Sequence, residues 1–138
     1  MAVKLDITSF ANAIDRFTEG LDTLGEHPDN ALIRDGVIQR FEFTYELAHK
    51  SLKRYLEMAA PTPGDIDDMV FQDLIRMGNE QGLLLNDWEE WKGYRQSRTD
   101  TSHTYNEEKA LLVIAQIPTF LEEARYLLKQ LRKRTGAA

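Results

Sequence analysis

Thr104-Tyr105-Asn106-Glu107, followed by Ala110, Leu111, Val113, Ile114, Ile117, Phe120, Leu121, Ala124, Leu127, Leu128 and Leu131, is the stretch from which the fold can be read. Its first four residues have the form of a capping box, with Thr104 as N-cap and Glu107 at the third helical position. On that reading Tyr105 takes the first helical position. The apolar residues then recur every three or four positions, the spacing of one buried helix face. Pro118 interrupts the series. It predicts either a kink or a division in two, with proline in a new first turn.

The same periodicity extends towards the N-terminus. Leu5, Phe10, Ala13, Ile14, Phe17, Leu21 and Leu24 form one helical stripe that ends near Gly25 and Pro28. A second, longer helix is expected from Asp29 or Asn30. It carries Leu32, Ile33, Val37, Ile38, Phe41, Tyr45, Leu47, Ala48 and Leu52, and stops before the loop Pro61-Thr62-Pro63-Gly64. A third helix fits Asp65 to Gln81, with Asp65 as N-cap and Gly82 as the stop. A fourth should begin after Asn86 and run through Trp88, Trp91 and Tyr94 to about Arg98. No strand-like alternation, repeat or low-complexity tract is present. The expected fold is all-α, an antiparallel up-down bundle of four to five helices in a single domain over residues 1–138.

Composition narrows the function. No apolar run approaches the ~18 residues of a membrane span, and Met1 to Asp6 lacks the apolar core of a signal peptide. A cytoplasmic, membrane-free protein is expected. With no cysteine there can be neither disulfides nor thiolate metal ligands, and the three histidines are too scattered for a zinc site. No metal or cofactor is expected. The net charge of −6 conceals an asymmetry: Arg125, Lys129, Arg132, Lys133 and Arg134 contribute +5 after Glu123, so subtracting them leaves −11 for residues 1–124. An acidic body argues against a broad nucleic-acid surface, because phosphate neutralisation dominates such binding. Any RNA contact has to be local. The basic end also has a structural explanation, since cations in a last helical turn complement the helix dipole.

Between the fourth and last helices lies Arg98-Thr99-Asp100-Thr101-Ser102-His103-Thr104-Tyr105. Arginine offers a rigid cationic fork suited to phosphate, and histidine transfers protons near neutral pH. Tyr105 adds a hydroxyl. The start of the last helix should favour an anion beside His103 and Tyr105. Together Arg98 and His103 supply what cleavage of RNA by its own 2′-OH requires. A structural role is also open to each, as a C-terminal arginine and a solvated loop histidine. Glu42 and Glu46, one turn apart on the second helix, are placed to orient Arg98 or His103 from across the bundle, or to be solvated. Trp88 and Trp91 read as core packing rather than base-stacking residues, and His27 as a surface residue.

Arg98-x4-His103-x-Tyr105, with the run from Thr101 to Ala110, resembles the HEPN superfamily, and within it the HepT-like, or nucleotidyltransferase substrate-binding, proteins. Ile38 to Lys50 is similar to that branch's long second helix, and Trp88 to Tyr94 to the aromatic helix before its motif. The resemblance implies a metal-independent endoribonuclease toxin of a type VII-like toxin–antitoxin pair, acting as a homodimer with Arg98 and His103 of both copies in a shared cleft. It further implies an MNT-type nucleotidyltransferase as antitoxin, which transfers AMP to Tyr105. Ser102, Glu42 and Glu46 are expected as supporting residues. The alternative is a non-catalytic substrate-binding subunit of a two-component nucleotidyltransferase. Two departures are visible: Thr99 stands where asparagine usually follows the motif arginine, and His49 where an aromatic residue is frequent.

Overall fold

Asn30 sets the start of the longest helix, its side-chain oxygen accepting the Ile33 N–H at 3.0 Å as an N-cap. From there α2 (Ala31–Ala59) runs the length of the molecule, preceded by α1 (Thr8–Glu26). The computed structural model describes residues 5–136. The N-terminal stretch read above for a signal peptide lies partly outside them, at residues 1–4. Thr44 donates to the Ala13 carbonyl at 3.3 Å, and Arg40 to the Arg16 carbonyl at 2.7 Å. Further along, a Cβ on Gly20 would come within 3.2 Å of Val37. Numbers rise on α1 as they fall on α2, so the two helices are antiparallel.

The expected helix from Asp65 to Gln81 is in fact two, α3 (Pro63–Asp67) and α4 (Phe71–Glu80). Pro63, with φ already set for a first turn, starts α3 early; Thr62 is the N-cap and Asp65 lies inside the first turn. Val70 is extended and redirects the chain, so that Ile66 and the pair Leu74–Ile75 are all buried. Gly82 does end α4, at φ +77°. Next, α5 (Trp88–Asp100) is capped by Asp87, which accepts the Glu89 N–H at 3.1 Å. It continues two residues past Arg98.

After α5 come a 3₁₀ turn (Thr101–His103), α6 (Glu107–Gln116) and α7 (Pro118–Thr135). Pro118 divides the last apolar series, with its ring at the first position of α7. The capping box is not formed. Asn106 caps α6, accepting the Glu108 and Lys109 N–H groups at 2.9 and 3.3 Å, and Thr104 instead donates to the Thr101 carbonyl at 3.0 Å. The 3₁₀ turn has used the Thr104 hydroxyl. Tyr105 therefore lies before the helix rather than in it.

Among the described residues the architecture is all-α, with seven α-helices and one 3₁₀ turn. The four long segments alternate in direction. Arg34 of α2 meets Glu107 at the start of α6, and Phe41 meets Phe120 further along, so α6 and α7 run parallel to α2. The core gathers around Phe120, whose ring packs within 6 Å of Phe41, Tyr45, Trp91 and Tyr94. Trp91 is buried there, and Trp88 packs on Phe71, so both tryptophans are core residues. Buried Glu123 accepts the Leu85 and Asn86 N–H groups at 2.6 and 3.1 Å, anchoring the loop before α5. No helix among the described residues is long and apolar enough to cross a membrane.

Candidate functional site

The junction after α5 is wound tightly by its own hydroxyls. Thr101 donates to the Arg98 carbonyl at 2.6 Å, Ser102 to Thr99 at 2.9 Å and Thr104 to Thr101 at 3.0 Å. Beneath them Asp100 is buried, accepting from Gln96 at 3.1 Å with the Lys109 ammonium at 3.9 Å. Ser97 donates to Gln116 of α6 at 2.8 Å. These contacts fix the Cα positions from which Arg98, His103 and Tyr105 project.

The guanidinium of Arg98 turns towards α2. Its Nε donates to Glu46 Oε1 at 2.9 Å, its Nη1 donates to Thr101 Oγ1 at 3.2 Å, and Glu42 Oε2 lies 3.9 Å from Nη1. A third of the side chain remains exposed. No acceptor among the described residues meets Nη2, which leaves one edge of the fork open to an anion. Behind the two carboxylates, burial pushes the Tyr45 hydroxyl up to about 12, so it stays protonated.

His103 ends the 3₁₀ turn in solvent. Its ring meets that of Tyr105 edge-on, with centroids 6.3 Å apart, and Tyr105 is 88% exposed. The start of α6 does not serve as an anion site, because Asn106 already fills its N–H groups and Glu107 and Glu108 occupy its first turn. Ser102 is exposed with its hydroxyl spent on Thr99. Thr99 likewise donates along its own helix, to Arg95 at 3.1 Å. His49 packs on Phe71 at 4.8 Å, and burial holds its imidazole below the usual range. His27 is exposed at the end of α1. Among the described residues no three His, Asp or Glu side chains form a metal-ligating group.

Of the residues singled out from sequence, the structure brings Glu42 and Glu46 to Arg98 and His103 to Tyr105, and leaves Ser102 apart; Asp100 and Thr101, which hold the junction, were not singled out. The four-residue spacing of Gln96 and Asp100 on one helix face was their visible trace.

Residues 5–133 match the family described as nucleotidyltransferase substrate binding protein like. The chain belongs to this family. A curated relative from Haemophilus influenzae, named a probable ribonuclease HepT, is 48% identical over 99 residues, which cover 72% of this chain and 67% of the relative. A solved Haemophilus influenzae structure, described as the fold of a substrate-binding domain of a nucleotidyltransferase, superposes with a TM-score of 0.86 at 35% identity. It covers 92% of this chain and 99% of its own. A Thermus thermophilus structure matches with a TM-score of 0.62 at 31% identity, over 84% of this chain and 98% of its own. Membership in this HepT-like family associates the chain with a nucleotidyltransferase.

Proposed function

We propose that this protein is a HepT-like, metal-independent endoribonuclease toxin, silenced by AMP transfer to Tyr105 from a cognate MNT-type nucleotidyltransferase. The observation that carries the reading is the division within one short segment. Arg98 is held by Glu46 and Thr101 with one edge free, while His103 and Tyr105 stand in solvent beside each other. The free edge of Arg98 suits a phosphate oxygen, and an exposed imidazole can take and return protons.

In the proposed reaction the RNA 2′-oxygen attacks the adjacent phosphorus and loses its proton to His103. The bond from phosphorus to the 5′-oxygen breaks. The leaving oxygen takes a proton from the His103 of a second copy, giving a 2′,3′-cyclic phosphate and a 5′-hydroxyl. Arg98 offsets charge on the phosphoryl oxygens. A homodimer sharing one cleft thus supplies both a base and an acid. AMP on Tyr105 adds a phosphate beside His103, where it competes with RNA.

The test is growth after induced expression without the neighbouring nucleotidyltransferase. Wild type should arrest growth and His103→Ala should not, with equal soluble yield. Healthy growth in both sinks the nuclease reading and leaves a substrate-binding subunit that docks a nucleotidyltransferase.

A further inference from the structure

Between α1 and α2 lies an open cavity of about 580 Å³ whose lining includes Ser9, Asn12, Arg16, Gln39, Arg40 and Phe43. None of its lining residues is acidic, and both charged ones are arginines. That is unexpected in a chain whose first 124 residues carry a net −11. The two cations are held differently. Arg40 donates to the Arg16 backbone carbonyl at 2.7 Å and has Glu19 4.0 Å away, whereas the Arg16 guanidinium has no acidic partner among the described residues. Phe43 is 54% exposed at the rim. An exposed ring costs apolar hydration unless something covers it, and a base does so by stacking. The amides of Asn12 and Gln39 and the Ser9 hydroxyl add both donors and acceptors to the wall.

A second hollow shares Gly36, Gln39 and Phe43 with this cavity and also takes in Asp35, Glu42 and Thr104, beside the Arg98 motif. Gly36 lines both, and a Cβ there would meet nothing within 4 Å. The cationic, aromatic-rimmed cavity therefore adjoins a hollow that reaches Glu42, which faces Arg98, and Thr104.

We infer that the α1–α2 cavity is a nucleotide subsite, with Arg16 and Arg40 on the phosphate and Phe43 on the base. Its occupant is a nucleotide of the RNA strand flanking the one that is cut. The RNA assignment rests on the function proposed above; the nucleoside-phosphate chemistry stands without it. Arg40, tethered to the Arg16 carbonyl, presents its remaining N–H groups in a fixed direction. Arg16 is free to close over the ligand.

The test uses the His103→Ala protein, which cannot turn over substrate, with two probes: a fluorescent single-stranded oligoribonucleotide and free AMP. Arg16→Glu and Phe43→Ala lie on the exposed rim, and circular dichroism verifies that each is folded. The expected result is tenfold or greater weakening of oligoribonucleotide binding by Arg16→Glu, several-fold weakening by Phe43→Ala, and millimolar or weaker AMP binding with the same dependence. Dependence on both residues with AMP alone keeps the nucleotide subsite but makes the free nucleotide its occupant. Oligoribonucleotide binding indifferent to both substitutions overturns the subsite while leaving the nuclease reading intact. Binding of neither probe overturns it as well, whatever the growth assay shows.

Discussion

Replacing Glu46 with alanine releases the Arg98 guanidinium on its Nε side and leaves the bundle untouched. Both partners are substantially exposed, with side-chain exposures of 33% for Arg98 and 46% for Glu46, so their pairing contributes only ~0.2–1 kcal/mol to stability. The kinetic consequence is larger. An arginine side chain carries about 2 kcal/mol of rotamer entropy; at ~1.4 kcal/mol per tenfold, full release would lower the population of the productive fork about 30-fold. Thr101 at 3.2 Å and Glu42 at 3.9 Å still restrain the other side. The expected loss in kcat is therefore about tenfold, taking a third of that upper bound. KM should move the opposite way or stay level, because a carboxylate competing with phosphate has been removed. Glu46→Gln retains an oxygen to accept the Nε–H and should recover most of kcat, which a purely electrostatic role would not allow. Steady-state cleavage of a fluorogenic oligoribonucleotide measures both constants. An unchanged kcat in Glu46→Ala, or a raised KM at constant kcat, refutes the positioning role.

Further outcomes follow from the buried and exposed extremes of the chain. Glu123→Ala strands the Leu85 and Asn86 N–H groups; at ~1–3 kcal/mol for each unsatisfied donor, urea denaturation should show a loss of about 2–6 kcal/mol. Burial also raises the Glu123 carboxyl above its ordinary 4.5, so its proton-linked stability is complete below that pH and is lost as pH rises through the folded value. The stability difference between wild type and Glu123→Gln should accordingly shrink as pH increases across that window; a flat difference contradicts the buried-carboxyl reading. Tyr105→Phe, at a position 88% exposed, should leave stability within about 0.5 kcal/mol. Intact-mass spectrometry after incubation with ATP and the partner enzyme should show AMP on wild type and none on this variant.

Periodicity made the long helices readable because their burial is one-sided: α1, α2 and α5 each present a stripe to the Phe120 cluster. Pro118 was readable for the same local reason, a missing N–H in an otherwise helical run. The misread boundaries are places where two acceptable local choices compete. Asn106 and Thr104 are both good caps, and the 3₁₀ turn decides between them by drawing the Thr104 hydroxyl back to Thr101. Pro63 and Asp65 both start helices, and the proline comes first. In the site, Arg98, His103 and Tyr105 could be singled out from one short window, by their spacing together with a family resemblance. Some of the supports under them are contacts 19 and 52 residues apart, Ser97 with Gln116 and Arg98 with Glu46, which no short window contains. The α1–α2 cavity was invisible for a similar reason, since Arg16 and Arg40 share a wall only once the register of the two helices is set.

The charge distribution ties these features together. Arg98 is the cation of the proposed centre, yet Glu46 and Glu42 face it at 2.9 and 3.9 Å, so its surroundings are close to neutral or negative overall. Such a site can orient a phosphate but contributes little net attraction for a polyanion. Affinity for RNA then has to come from cations that no carboxylate faces. Arg16 is one, in a cavity adjoining the hollow that reaches Glu42 and Thr104. Orientation and attraction are thus separated, with carboxylates fixing one arginine on the catalytic side and their absence leaving another free on the binding side. That separation predicts different salt responses. Raising ionic strength should weaken binding mainly through the Arg16 side, so the salt dependence of oligoribonucleotide affinity should flatten in Arg16→Glu and hardly change in Glu46→Gln. Equal flattening in both variants would place attraction and orientation at one site, contrary to this division.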